Sequence, residues 1–390
     1  MKLNNRFIPS TPAFEFIMRL FRSNSLSSGD HRITALYDTI DDSEIYEIAK
    51  NHSIKSSTAH ALIDSLGERR VERLWKDIYS KTERRVSNYF EELERIADEF
   101  SGDNIKVVLL ENGAIARTVY KYWGSYEFGD FDLLILPEQI PSAHQRLLDL
   151  GYTELSQNNQ TPSNQNFSGS VRREYKRTID DLYSLRINLQ NSLVARKWFK
   201  TNNEPDIKRL FDRSVPVSDS NLRVLNPTDN LFQLCIHNAS HCYIRDPGLR
   251  LHIDIERFIR YGPDIEWEKF AQMVKKYRVN TSCYFSLYIP KILFNTPIPF
   301  KVLDEISPPI WKERIIGNWI KKNGLLNGNK RKFTKIGLIL FTALLYDKSG
   351  DLISDIFPTT DWMYRHYNIH KKYMIPVYYI RRLAAMISDG

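Results

Sequence analysis

The chain has 390 residues, of which 42% are hydrophobic and 26% are charged, values typical of soluble globular proteins. This length predicts two or three domains, and the composition excludes a mainly disordered or collagen-like chain. The longest apolar stretch, residues 336–346, is shorter than the about 20 residues that a membrane-spanning helix needs. Charged residues interrupt the N-terminal segment, so no signal peptide is predicted. Three cysteines are too few for a disulfide framework, and we therefore expect a cytoplasmic protein without a membrane span.

Helical patterns fill the first hundred residues. Asp41 followed by Glu44 is typical of a helix N-terminus, and apolar side chains recur at helical spacing from Leu74 to Phe100. From Gly102 the pattern changes to short β-rich runs that alternate with helical stretches, which predicts a mixed sheet. The predicted elements are strands at 106–110 and 131–136, helices at 114–122 and 144–150, an uncharged loop at 156–170, and a hairpin at 171–177 and 183–189.

Asn226 and Pro227 predict the start of a second helical region, which continues to the end of the chain. We therefore predict a helical N-terminal region (1–101), an α/β core (102–200) and a helical C-terminal domain (201–390). The net charge of +8 is concentrated near the C-terminus, since residues 301–390 carry 15 basic and 8 acidic side chains. Six basic residues and no acidic one lie between positions 321 and 335: Lys321, Lys322, Lys330, Arg331, Lys332 and Lys335. Such a run is either a solvated loop or a surface that attracts phosphate, including that of RNA.

Asp130 and Asp132 begin the second predicted strand, directly after Gly129. Residues i and i+2 of a strand project from the same face, so the two carboxylates would repel each other unless a cation lies near both. A Mg²⁺ ion that also binds substrate phosphates meets this requirement. The alternative is that both carboxylates are solvated at the end of an edge strand. The apolar residues that follow Asp132 indicate instead a strand that enters a core.

The first predicted strand ends close to Gly113, where a helix is predicted to begin. Free N–H groups at a helix N-terminus bind phosphate. The aspartate pair begins about seventeen residues after Gly113, on the next predicted strand. Together these features predict a site in which Asn112, Gly113 and Gly129 hold a nucleotide, while Asp130 and Asp132 hold the metal ion.

These motifs resemble those of the uncharacterised nucleotidyltransferases of polymerase-β type, which carry a strand, a Lys-Gly pair, a helix and an Arg-x-x-Gly-Asp-x-Asp strand. The resemblance extends to a helical lead-in at 45–66, to a helical signature with His237, Arg250 and Asp254, and to positions 357–383, so it covers roughly residues 40–390. It implies an α+β fold with a polymerase-β-like core. It also implies Mg²⁺-dependent transfer of a nucleoside monophosphate from an NTP, with ATP as the expected nucleotide.

Three positions depart from the family pattern. Asn112 stands where the family has lysine, Tyr126 where it has arginine, and Asn188 where a third carboxylate normally activates the attacking hydroxyl. An amide cannot act as a general base, so slow or absent activity is predicted. Arg117 and Lys121 on the predicted helix could replace the missing cations. A replacement carboxylate could come from another acidic residue, namely Glu127, Glu174 or Asp180.

The predicted helical segment after Asn226 contains several residues of metal-binding type: Cys235, His237, His241, Cys242, His252 and Asp254. His237 and His241 are four residues apart, as a zinc pair on a helix requires. However, the spacing matches no standard zinc motif, and the apolar neighbours favour a packed helix. We expect Cys235 and Cys242 to be core residues, and His237 and Asp254 to form a polar network under the active cleft.

The sequence therefore predicts a nucleotidyltransferase whose catalytic positions are Asp130, Asp132 and Asn188. The expected acceptor is a small molecule, a peptide or a saccharide in a biosynthetic reaction. Two alternatives remain open. One is a catalytically degenerate member of the fold that serves as a nucleotide-binding or scaffold protein. The other is an RNA-modifying nucleotidyltransferase, which only the basic run supports.

Overall fold

A computed structural model describes residues 11–22, 31–155, 172–179, 183–193, 205–325 and 332–388. Within these ranges, one mixed sheet of seven strands lies between two sets of helices. The predicted α+β class is therefore confirmed. The predicted loop at 156–170 lies outside the described residues.

Five helices precede the sheet: α1 (Pro12–Arg22), α2 (His31–Tyr37), α3 (Asp42–Asn51), α4 (Lys55–Leu66) and α5 (Arg73–Gly102). Asp41 caps α3 as predicted, because its carboxylate accepts a hydrogen bond from the Ser43 N–H. The apolar stripe of α5 covers one face of the sheet. The Phe90 ring lies 5.3 Å from that of Phe131, measured between centroids.

The strands are β1 (Val107–Leu110), β2 (Asp130–Ile135), β3 (Thr153–Glu154), β4 (Arg172–Thr178), β5 (Ser184–Gln190), β6 (Val215–Pro216) and β7 (Arg223–Val224). They are arranged in the order β3-β4-β5-β2-β1-β7-β6. β2 is antiparallel to β1 and parallel to β5, and β4 with β5 forms the predicted antiparallel hairpin. Between the strands lie α6 (Glu111–Thr118), α7 (Ile140–Asp149) and α8 (Ile207–Arg213), with 3₁₀ turns at Trp123–Ser125 and Pro137–Gln139.

The C-terminal helices are α9 (Pro227–Ser240), α10 (Leu249–Tyr261), α11 (Trp267–Lys276), α12 (Asn280–Phe294), α13 (Phe300–Glu305), α14 (Ile310–Asn323), α15 (Lys335–Leu345), α16 (Ser349–Ile356), α17 (Thr360–Tyr367) and α18 (Ile375–Ser388), with a 3₁₀ turn at Lys372–Met374. Asn226 caps α9 through the N–H groups of Thr228 and Asp229, as predicted. Within the described residues, no helix is both long and apolar enough to cross a bilayer.

One continuous core joins the N-terminal helices, the sheet and the C-terminal helices, with members that include Phe16, Trp75, Ile187, Phe285 and Phe341. The cysteines Cys235, Cys242 and Cys283 are buried free thiols, so the expectation for Cys235 and Cys242 is confirmed. The sheet continues past residue 200, because β7 pairs with β1. Strands from both sides of the predicted domain boundary at residue 200 therefore belong to one sheet.

Candidate functional site

Asp130 and Asp132 are the first and third residues of β2 and project from the same face of the sheet. Strand pairing places Asp132 opposite Leu110 at the end of β1 and opposite Asn188 of β5. Asp132 is 3% exposed, whereas Asp130 at the strand start is partly exposed. The two carboxylates therefore occupy the sheet end at which β1 passes into α6.

Asn188 lies beside both aspartates. Its Nδ2 donates a hydrogen bond to Asp130 Oδ2 at 2.9 Å, and a hydrogen bond from Asn188 also favours the ionised form of Asp132. The residue is 3% exposed. The β2–β5 register thus brings Asn188 to the place at which the family pattern has its third acid.

Asp132 is electrostatically unfavourable as a bare carboxylate. Burial raises its pKa well above the ordinary value, and Glu111 and Asp130 raise it further, against the opposing effects of Arg172 and Asn188. Its Oδ1 lies 3.6 Å from Arg172 Nη2 and accepts no hydrogen bond within the described part of the chain. A buried oxygen of this kind is costly, and a bound cation would remove the cost.

The donor set fits a Mg²⁺ ion that binds together with a nucleotide. Mg²⁺ prefers oxygen ligands, and it commonly takes one or two carboxylates while water and phosphate supply the rest. Among the described residues, no group of three or more His, Cys, Asp or Glu side chains is arranged to hold a metal ion. Asp130 and Asp132 would therefore hold Mg²⁺ only with phosphate and water as the remaining ligands.

The N-terminus of α6 lies at the same sheet end as the carboxylates. The helix begins at Glu111, and Leu110 at the cap position gives no side-chain hydrogen bond to the first N–H groups. Since the N-cap residue leaves these N–H groups without a side-chain cap, they could bind phosphate.

Gly113 does not form the turn that the sequence predicts, because the left-handed residue there is Glu111, with φ 48°. Gly113 lies in the first turn of α6, where an added Cβ would come within 2.7 Å of both the Leu109 and Phe131 side chains. The glycine therefore allows α6 to pack closely against the sheet. Gly129, the other predicted glycine, is exposed and has open space around it.

Substitution of Gly113 by alanine is expected to lower the free energy of unfolding by about 1–3 kcal/mol, as overpacking of a tight core does. Chemical denaturation measures this change. Gly129→Ala is the matched control, because the added methyl group meets no atom within 4 Å. Equal stability of the two variants would contradict the packing role of Gly113.

Arg117 is directed away from the aspartates, whereas the predicted role of Lys121 stays a prediction. Arg117 Nη2 lies 3.2 Å from Glu94 of α5, and its guanidinium lies over the Phe90 ring, on the apolar side of the sheet. The helix ends at Thr118, so the exposed Lys121 lies beyond it. The cation beside Asp132 is instead Arg172 of β4.

Asn112 and Tyr126, two of the departures from the family pattern, contact each other. The Tyr126 hydroxyl donates to Asn112 Oδ1 at 3.1 Å and to Asp254 Oδ2 at 2.9 Å. Arg250 Nη2 also donates to Asn112 Oδ1, at 3.2 Å. The Asn112 Oδ1 atom is therefore engaged within the protein, and the predicted role of Asn112 in nucleotide binding stays a prediction.

The acids predicted as replacements for the third carboxylate differ in their surroundings. Glu127 lies 3.9 Å from Lys55 and 4.0 Å from Arg85, so cations of the N-terminal helices surround it. Glu174 lies opposite Asn188 on β4, with its side chain 51% exposed and on the same sheet face. Asp180 lies outside the described residues. Of the two described acids, Glu174 is thus the one that lies on the sheet face of the predicted site.

Glu111 is a buried acid that sequence analysis did not single out. Its Oε2 lies 3.0 Å from His237 Nδ1, and its Oε1 accepts a hydrogen bond from Gln233 Nε2 at 3.0 Å. Burial opposes ionisation, but His237 and Arg172 outweigh it and lower the pKa of Glu111. Gln233 and His237, at i and i+4 on the polar side of α9, are the signal that could have revealed this pair.

The remaining histidines of the predicted metal-type cluster have other partners. His241 Nδ1 lies 2.5 Å from the Asp246 carbonyl oxygen, and burial, with His237, lowers its pKa to about 4. His252 is fully buried, and its Nε2 lies 2.8 Å from the Tyr243 carbonyl oxygen. The predicted network of His237 and Asp254 is divided, since His237 contacts Glu111 while Asp254 contacts Tyr126.

The basic run is not one loop. Lys321 and Lys322 are exposed in the last turn of α14, and Lys335 is the first residue of α15. Lys332 Nζ donates to the Gly324 carbonyl oxygen at 2.8 Å, and burial lowers the Lys332 pKa. Lys330 and Arg331 lie outside the described residues. The described cations of the run thus differ in their surroundings.

We expect Lys332→Gln to lower the free energy of unfolding by about 0.5–1.5 kcal/mol through loss of its hydrogen bond. The double variant Lys321→Gln/Lys322→Gln should leave thermal unfolding nearly unchanged, because exposed charges rarely matter by more than about 0.5 kcal/mol each. The same melting temperature for both variants would show that the Lys332 contact does not stabilise the fold.

The fold and the paired aspartates define a nucleotidyltransferase-like protein. A family model described as uncharacterised nucleotidyltransferase matches residues 38–295, which is more than half of the chain, so the chain belongs to this family. The matched range contains the site from Glu111 to Asp254, whereas the C-terminal similarity at 357–383 lies outside it. None of the curated proteins compared with the chain matches it.

Proposed function

We propose that the protein transfers a nucleoside monophosphate from an NTP, with ATP as the expected donor, to an acceptor hydroxyl or phosphate in a Mg²⁺-dependent reaction. One observation carries the proposal. Asp130 and Asp132 share one sheet face beside a helix N-terminus whose cap residue makes no side-chain hydrogen bond, and Asp132 Oδ1 is buried without a hydrogen bond from any described residue. A divalent cation and a triphosphate together would satisfy both features.

The protein groups have distinct roles in this proposal. Asp130 and Asp132 would hold Mg²⁺, which neutralises phosphate charge when bound. The first N–H groups of α6 would bind the triphosphate, and Arg172, whose Nε is buried without a hydrogen-bond partner in the described chain, would contact a phosphate oxygen. The acceptor oxygen would attack the α-phosphorus in line, and pyrophosphate would leave.

Restoring the family's acid by Asn188→Asp is expected to raise the rate at least tenfold, since a general base contributes about 10²–10⁴-fold. The measurement is pyrophosphate release from ATP in the presence of Mg²⁺. Gln190→Glu is the matched control, because it adds the same charge two residues along the same strand face. An unchanged rate in an Asn188→Asp variant that is folded and binds ATP would show that Asn188 does not occupy the third position.

The alternative, a catalytically degenerate protein that binds nucleotide or serves as a scaffold, predicts a different result. A scaffold protein would bind ATP with Mg²⁺ yet release no pyrophosphate, and Asn188→Asp would not initiate release. The acceptor class, whether small molecule, peptide or saccharide, can then be sought by mass spectrometry of products formed with each of the four NTPs. An RNA acceptor would require binding that weakens with salt and with loss of Lys321 and Lys322.

A further inference from the structure

Glu111 adopts a backbone conformation that is unfavourable for its residue type. A positive φ at a residue other than glycine is strained and persists only where surrounding contacts impose it. Here the conformation turns the chain from β1 into α6 and leaves the Glu111 side chain 8% exposed. The carboxylate contacts Gln233 and His237 of α9 at 3.0 Å each, so it is held from both oxygens.

His237 is oriented by this carboxylate. Its Nδ1 faces Glu111, and the side chain is 18% exposed. In the neutral tautomer whose Nδ1–H donates to the Glu111 carboxylate, Nε2 would carry the free lone pair. The other ring contact of His237 is with His241, whose ring centroid lies 4.9 Å away. A buried carboxylate that fixes the tautomer of a partly exposed histidine is the arrangement used for general-base catalysis.

The Glu111–His237 pair adjoins the aspartates. Leu110, the residue before Glu111, lies opposite Asp132 in the β1–β2 register. Arg172 interacts with Asp132 and with Glu111, and it favours the ionised form of each. One cation thus acts on both carboxylates, which places the histidine pair at the same end of the sheet as the candidate metal site.

We propose that His237 is the general base of the transfer reaction and that Glu111 is its positioning residue, an inference that rests on the proposed function. His237 Nε2 takes the proton of the acceptor hydroxyl as its oxygen forms a bond to the α-phosphorus. The bond from the α-phosphorus to the bridging oxygen breaks, and pyrophosphate leaves with that electron pair. The imidazolium formed is paired with the Glu111 carboxylate. His237 thereby supplies the function that Asn188 cannot, but less effectively than a carboxylate at position 188, so Asn188→Asp should still raise the rate.

Three titratable groups interact with His237: Glu111 of α6, His241 of α9 and Asp254 of α10. Arg172 of β4 acts on Glu111, and Arg245 acts on His241. His241, with a pKa of about 4, remains neutral over the working range and does not compete as a cation. A histidine base acts in its neutral form, so the proposal predicts a rate that falls at acid pH.

The first test measures AMP formation from ATP by the full-length protein with Mg²⁺, with water as the acceptor. His237→Gln should lower the rate at least 100-fold and remove the fall at acid pH. Glu111→Gln should lower it less and move the fall to lower pH, because the imidazole loses its anionic partner. In an Asn188→Asp background, His237→Gln should cost less than tenfold, since a carboxylate base is again present.

Glu174→Gln is the matched control, because it removes an acid from the same sheet end. The inference is overturned if Glu174→Gln abolishes the fall in rate at acid pH while His237→Gln leaves that fall unchanged. In that case loss of AMP formation in Asp132→Asn would still support the proposed function. If neither Asp130→Asn nor Asp132→Asn changes AMP formation, the proposed function itself fails.

A second readout does not require turnover. Diethyl pyrocarbonate modifies the exposed nitrogen of a neutral imidazole, and mass spectrometry locates the modified residue. His237 should be modified in the free protein and protected at least fivefold by a non-hydrolysable ATP analogue with Mg²⁺, whereas exposed His370 should be modified equally in both. Equal modification of His237 with and without the nucleotide would overturn the inference.

Discussion

Asp132→Asn is expected to abolish Mg²⁺-dependent nucleotide transfer and at the same time to raise the melting temperature of the free protein. Loss of a metal ligand removes charge stabilisation of several kcal/mol, so the rate should fall by about 10²–10⁴-fold. Stability should rise because asparagine removes a buried charge that Glu111 and Asp130 disfavour.

The stability gained by Asp132→Asn should depend on pH. The folded pKa of Asp132 is raised above its unfolded value, so ionisation costs stability as the pH increases through that interval. Below the unfolded pKa, near about 4, the carboxyl is neutral in both states and the variant should gain nothing. Thermal unfolding from pH 4 to 8 should show a stabilisation that grows with pH.

Asp130→Asn is the control for Asp132→Asn. It should lose transfer similarly, because it removes the other metal ligand, but its melting temperature should change less since Asp130 is partly exposed. A destabilised Asp132→Asn at pH 8 without added Mg²⁺ would contradict the description of Asp132 as an unfavourable buried charge.

Arg172→Gln is expected to weaken ATP binding about 10- to 100-fold, because hydrogen bonds to charged groups contribute about 1.5–3 kcal/mol. Calorimetric titration with a non-hydrolysable ATP analogue and Mg²⁺ measures the change. Arg173→Gln is closely matched: its side chain is 37% exposed, against 35% for Arg172, but it projects from the opposite face and lies 3.5 Å from Glu154. An equal loss of affinity in both variants would show a general charge effect rather than a phosphate contact.

Much of the fold could be predicted from local patterns. The aspartates of β2, the β4–β5 hairpin and the cap at Asn226 follow from period-two alternation and from side-chain capping, and all three are present. The register of β5 against β2 is a long-range pairing. Only the family pattern pointed to Asn188 as the neighbour of Asp132.

The parts that could not be predicted depend on contacts between distant segments. Arg117 was placed near the nucleotide because it follows Gly113 on a helix, yet α5 presents Glu94 to it. Arg172 is far from Asp132 in sequence, and β4 reaches Asp132 only through β5. The pairing of Glu111 with His237 requires α9 to pack beside α6. The i, i+4 spacing of Gln233 and His237 marks a polar side of α9 but does not identify the helix beside it.

Binding of a non-hydrolysable ATP analogue with and without Mg²⁺ tests the central claim most directly, namely that Asp130 and Asp132 form a metal-dependent nucleotide site. We predict binding that requires Mg²⁺ in the unmodified protein and that is lost in the double variant Asp130→Asn/Asp132→Asn. Binding of equal affinity in the absence of Mg²⁺, retained in the double variant, would contradict the claim and place any nucleotide site elsewhere in the chain.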